Sequence, residues 1–171
     1  MKSLHEDMAE FRKQLQQGSV PKAYQGLLEF MTSLKHHFAR AYPDYAAPGG
    51  LYQGYMDMTY FALLPGSLQE RELKIAVVFL YDSFRFEIWL SGKNKRVLNR
   101  YWKLIRDSGW HTYKVVEPGT GVDAVVEHIL AENPDFSDLN RLTKQIEQEA
   151  VNFISEIESL LARCASRPLV S

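Results

Sequence analysis

Cysteine is almost missing from this sequence. Cys164 is the only one among 171 residues, so no disulfide can close within the chain, which fits a reducing compartment. It stands near the end of the chain with no neighbouring histidine to activate it, which argues against a thiol nucleophile. Charge of one sign is not in excess either: 20 Lys and Arg face 21 Asp and Glu. That balance excludes a whole-domain electrostatic pull toward nucleic acid or anionic membrane, and any such binding has to be local. No window approaches the ~20 apolar residues a membrane span needs. The first ten residues, carrying His5, Glu6, Asp7 and Glu10, lack the apolar core of a signal segment. The expected address is cytoplasmic, without a membrane partner.

Motifs with a defined chemistry are missing as well. Gly49-Gly50 has no following Lys-Ser/Thr, and Gly119-Thr120-Gly121 is too short for a dinucleotide fingerprint. Ser67, Ser83 and Ser91 lack the flanking glycines of a nucleophile elbow. His36 and His37 are adjacent on a helix and diverge, while His5, His111 and His128 have no metal-ligand spacing to a carboxylate or cysteine. No catalytic residue, metal ligand or cofactor is therefore assigned from the residues, and the sequence names no reaction.

What is present is an aromatic-rich chain, 12% Phe, Trp and Tyr, of a length that suits one domain over residues 1–171. Leu4, Met8, Phe11 and Leu15 recur at helical steps up to Gly18. Tyr24, Leu27, Leu28, Met31, Leu34 and Phe38 form a second stripe that ends before Pro43, so the two read as a helical hairpin. The pattern then changes to strands. Leu51 to Leu64, Leu73 to Tyr81 and Phe84 to Leu90 are joined by Pro65-Gly66 and by Asp82-Ser83, which reads as an antiparallel three-strand meander. The middle run is apolar at every position, as expected of a strand buried on both faces. The third alternates, placing Phe84, Phe86, Ile88 and Leu90 on a core face and Arg85, Glu87 and Trp89 on the other.

A crossover helix from Asn94 to Ser108, a fourth strand at His111 to Val116, and two C-terminal helices, Val122 to Ala131 and Phe136 to Cys164, complete an α+β reading. In the last helix Leu139, Leu142, Ile146, Ala150, Phe153, Ile157 and Leu160 recur at near-heptad spacing. Such a seam packs on its own domain or holds a homodimer, so monomer and dimer both stay open.

The strings YQGYMDMTYF (Tyr52 to Phe61), RFEIWLSGKNK (Arg85 to Lys95) and NPDFSDL (Asn133 to Leu139) resemble a family of small prokaryotic proteins of unknown function. That resemblance spans nearly the whole chain, implies one domain, and carries no activity with it. The element order also resembles the αβββαβ core of restriction-endonuclease-like proteins. Those enzymes need an acid on the second core strand and a Glu/Asp-x-Lys on the third, because two carboxylates hold a metal while the Lys orients water. Here Glu87 is followed two residues later by Trp89, and Asp82 lies beyond the end of the second strand. The chemistry of the resemblance is missing.

Two surfaces stand as candidates. Tyr55, Asp57, Arg85, Glu87 and Trp89 are expected on the polar-aromatic side of the sheet, as a binding surface for an unknown small molecule or protein or as a structural ion network. Lys93, Lys95, Arg96, Arg100, Lys103 and Arg106 put six bases in fourteen residues without an acid, with Trp102 offset as a stacking platform. That helix suits nucleic acid, as the alternative to a solvated face. A non-enzymatic binding or interaction module is the favoured reading, and nucleic-acid binding the second.

Overall fold

The computed structural model describes residues 2–121 and 123–166. Two helices open the chain, α1 (Leu4–Gln17) and α2 (Ser19–Ala41), separated by Gly18 alone. A seven-stranded antiparallel sheet follows. Its strands are β1 (Tyr45–Ala46), β2 (Tyr52–Gln53), β3 (Met58–Pro65), β4 (Leu73–Leu80), β5 (Arg85–Gly92), β6 (Lys114–Val115) and β7 (Val126–Ala131). The short helix α3 (Gly66–Gln69) joins β3 to β4, α4 (Lys95–Asp107) follows β5, and α5 (Leu139–Ala165) closes the fold. The spatial order is β1-β3-β4-β5-β7-β6, with β2 on the same edge of β3 as β1.

The meander is formed as its pattern predicts, with β4 central. Phe61, Val77 and Ile88 lie in register on one face, and Tyr60, Val78 and Glu87 on the other. Leu27, Phe30, Met31, Leu34 and Phe38 of α2, Leu98, Tyr101 and Ile105 of α4, and Ile146, Phe153 and Ile157 of α5 join Ile75, Val77 and Phe79 in one buried cluster. Gly92 is on the parity of Ile88 and Leu90, and a Cβ there would lie 3.1 Å from Val97 Cγ1, so the start of α4 is seated closely on that same side. Phe136 fills the gap where the chain turns into α5, touching the rings of Phe30, Phe79, Phe84 and Phe86 edge-on or tilted. Among the described residues no helix covers the opposite face. Ala76 and Val78 are nonetheless buried there, because Tyr60, Glu87 and Trp89 flank them in register on the neighbouring strands.

Four expectations from the sequence are corrected. The run Leu51 to Leu64 is a hairpin rather than one strand, since β2 folds back on β3 through Gly54 to Asp57. Gly54 is required there: a Cβ would sit 2.0 Å from Asp57 Oδ1, and Met56 adopts φ +62°. The run Val122 to Ala131 is strand β7 from Val126 onward rather than a helix, and Val122 itself lies outside the described residues. β5 would otherwise expose its whole free edge, and the β-branched Val125 and Val126 suit the pairing that covers it. The strand expected at His111 to Val116 shrinks to β6, paired to β7 and not to the meander. Phe84 is in the β4–β5 turn with φ +52°, more than half exposed, rather than in the core row. α5 keeps its long stripe, and Leu142, Ile146, Ala150, Phe153, Ile157 and Leu160 are all buried in the chain's own core.

α2 and α5 are tied at one end by a polar contact. The Tyr42 hydroxyl donates to Glu147 Oε1 at 2.8 Å, and His37 Nε2 lies 2.8 Å from Glu147 Oε2. Burial pushes the Glu147 carboxyl up, but the bonds from Tyr42 and His37 outweigh it and hold the group below the usual carboxylate value. The same hydrogen bond, then burial, pushes the Tyr42 phenol up to about 12. A raised phenol contributes stability below pH 10 that is lost as pH climbs toward 12, and a depressed carboxylate contributes stability that is lost as pH falls below 4.5. Tyr42→Phe is expected to cost about 1 kcal/mol at neutral pH. In urea titrations the gap from the native chain should close in strong alkali; a gap unchanged across pH would show that the bond contributes nothing.

Candidate functional site

The bare face of the sheet is built by parity. In β5, Arg85, Glu87 and Trp89 point away from the helices, and the register sets Met58, Tyr60 and Ala62 of β3 and Ile129 of β7 on the same side. Glu87 is only 4% exposed although no element lies over it. Its carboxylate is occupied on both oxygens: Arg85 Nε donates to Oε1 at 2.8 Å, and Trp89 Nε1 donates to Oε2 at 2.7 Å. A second Arg85 nitrogen lies 2.6 Å from Oε1, while Nη1 approaches Glu132 at 3.8 Å. The three alternate residues therefore form one fixed polar strip, in which Trp89 shields the acid and Arg85 balances its charge.

Tyr60 lies opposite Tyr52 with ring centroids 4.7 Å apart, and Lys74 Nζ sits 5.9 Å from the Tyr60 ring. Burial lifts the Tyr60 phenol above its usual value. Ile129 is exposed beside Glu87. The surface is an apolar and aromatic sheet face with two engaged carboxylates, Glu87 locked by Arg85 and Trp89, and Glu127, in register with Trp89, paired with Lys114.

Of the residues expected here, Arg85, Glu87 and Trp89 are brought together. Tyr55 and Asp57 are not. Tyr55 is 98% exposed at the hairpin turn, and Asp57 spends its carboxylate on the Met58 N–H at 2.8 Å. Thr59, two residues on from Asp57, is buried on the helical side and bonded to the Tyr81 hydroxyl. The turn at Gly54 to Asp57 breaks the parity that was extended through it. Ile129 was missed; for β3, once the hairpin is drawn, the step of two back from Ala62 to Tyr60 finds the ring that faces Glu87 across β4.

On α4, Arg96 and Arg100 with Lys95 and Lys103 are exposed and, among the described residues, have no carboxylate partner. Lys93 pairs with Glu72 at 3.1 Å, and Arg106 pairs with Asp107 while its guanidinium stacks 4.6 Å from the Trp102 ring. Trp102 thus has one face already taken. Glu87 and Asp82 are not brought together as a metal pair: Asp82 caps the Ser83 N–H in the turn. Among the described residues no three His, Cys, Asp or Glu side chains converge as a metal site, and no helix is long and apolar enough to cross a membrane. His128 Nε2 instead meets Glu149 Oε2 at 3.1 Å, tying β7 to α5.

Fold and site together define a two-layer α+β domain, helices on one side of an antiparallel sheet and a polar-aromatic strip on the other. The chain belongs to the family described as a domain of unknown function (DUF7000), whose profile matches residues 4–161. Neither the curated proteins nor the solved structures offered a match.

The strip makes a stability prediction that separates charge from packing. Arg85→Ala strands a buried carboxylate and is expected to cost about 1–3 kcal/mol. Glu87→Leu, which removes the acid itself, should be within about 1 kcal/mol of the native chain or above it. Equal losses for the two in urea unfolding would show that packing alone holds the strip.

Proposed function

We propose that this chain is a non-enzymatic interaction module whose working surface is the bare sheet face around Arg85, Glu87 and Trp89. One observation carries the reading: a buried, fully bonded carboxylate stands on a face that no helix covers. An apolar side chain of the same size would hold that position at less desolvation cost, so the strip adds direction to a largely apolar surface. An open sheet face favours a protein partner over a small molecule, because small ligands take concave sites. Three hollows lie off this face, one of about 520 Å³ between α2 and β2 at Leu28, Thr32 and Gln53, one of about 240 Å³ at Trp110, Leu160 and Cys164, and one of about 800 Å³ along α1 at Met8, Phe11 and Leu15.

A tryptophan at the centre of such a face has the size and shape of a binding hot spot, worth about 2 kcal/mol or more when truncated. Trp89→Ala is therefore expected to weaken capture of the partner roughly 30-fold, while the thermal midpoint moves by only a few degrees. A partner retained equally by native and Trp89→Ala protein sinks the reading.

A second reading rests on the unpaired bases of α4. Lys95, Arg96, Arg100 and Lys103 form a cationic face suited to phosphates, with binding independent of sequence. Four contacts would give a log affinity that falls with log salt at a slope of about −3 to −4. Fluorescence anisotropy with single-stranded and duplex oligonucleotides measures it, and binding that is undetectable or indifferent to salt removes nucleic acid as a partner.

A further inference from the structure

The bare sheet face is not the only apolar surface left without cover. In α1, Leu4, Met8, Phe11 and Leu15 fall on one stripe, and they are 77%, 54%, 45% and 44% exposed. No residue of α1 is buried. The helix is nevertheless well begun: Ser3 and Glu6 cap each other reciprocally, with Ser3 N–H donating to Glu6 at 2.7 Å. A 14-residue helix with nothing packed on it is marginal in water, so α1 needs cover from outside its own fold.

Charge narrows what that cover is. Lys2, Arg12 and Lys13 offset Glu6, Asp7 and Glu10, leaving none of the cationic excess by which interfacial helices hold anionic lipid. The junction is a single residue. Gly18 ends α1 and starts α2 at φ +77°, and α1 meets only α2 at this joint, burying none of its residues there. Size also fits. α1 is ~21 Å long against ~26 Å for the eight-residue strands β3, β4 and β5. Two reciprocal contacts of this kind would bury on the order of 1,000 Å², the lower bound of a specific interface.

Polarity orients the contact. Asp57, Asp82 and Glu132 gather at the end of the sheet that holds Arg85, while the other end balances Glu72 and Glu127 with Lys93 and Lys114. The basic half of α1 belongs over the acidic end.

We infer that α1 of one copy lies across the bare sheet face of a second copy, and the second copy's α1 across the first, closing a two-fold dimer by helix exchange. The inference rests on the sheet face being a binding surface and names its occupant as another molecule of this chain. Leu142, Ile146 and Ile157 of α5 are consumed by the core, so the dimer contact moves from α5 to α1.

Light scattering on the full chain tests it. The native mass is expected at twice 19.7 kDa. Phe11→Asp should halve it, and Ile129→Asp on the sheet face should halve it too, each bringing the thermal midpoint down to a monomer value that no longer varies with protein concentration. Mixing the two variants should join the intact arm of one to the intact face of the other, giving a heterodimer held by one contact, weaker than the native dimer and tighter than either variant with itself. A native monomer at submillimolar concentration overturns the inference, as does a monomer that sediments with anionic phospholipid vesicles. A dimer broken by Phe11→Asp but untouched by Ile129→Asp overturns it in favour of arm pairing with arm. Each of these outcomes leaves the sheet-face reading to the Trp89→Ala capture, so the two fail separately.

Discussion

The antiparallel ladder centred on β4 places everything else in this chain. β4 is bonded along its length to β3 on one side and β5 on the other, and its alternate residues set which face the helices take. Phe79, Val77 and Ile75 draw α2, α4 and α5 onto one side, and burial of that cluster is the main favourable term in the fold. Because α2, α4 and α5 are spent on that side, the middle of the reverse face has only the sheet's own side chains for cover, and Ser91 near its end is closed off by its bond to the Asp123 carbonyl. The locked strip of Arg85, Glu87 and Trp89 follows from this one-sidedness, since a carboxylate with no element above it has to find its partners within its own strand.

Much of this was legible in the residues. The uninterrupted apolar run of β4 and the strict alternation of β5 need no knowledge of neighbours, because strand parity is a property of the backbone. Arg85, Glu87 and Trp89 were therefore grouped correctly from one strand alone. Their neighbours from β3 were not, since that grouping needs the register across two strands, and the register depends on where the chain turns. Gly54 marked the turn, but Tyr55, Asp57 and Thr59 keep an alternating pattern through it.

The strand β7 was hidden for a different reason. Ala124, Val125, Val126, Leu130 and Ala131 follow neither a clean helical stripe nor a clean two-residue alternation, and local periodicity cannot decide between helix and strand. The free edge of β5 decides, and that edge exists only once the meander has formed. α1 shows the converse limit. Its stripe of Leu4, Met8, Phe11 and Leu15 has the same spacing as the stripe of α2, yet only α2 reaches the core. A stripe says that a helix has an apolar side and says nothing of what stands opposite.

The strands at the rim carry a consequence for the behaviour of the chain at high concentration. β1, β2 and β6 are two residues each, laid along the outer edges of β3 and β7. A long free edge would let molecule after molecule add by backbone pairing, the route into fibrils. With both rims broken into dipeptide segments, that open-ended growth is blocked. Neither rim then offers a neighbouring molecule more than a two-residue template for backbone pairing.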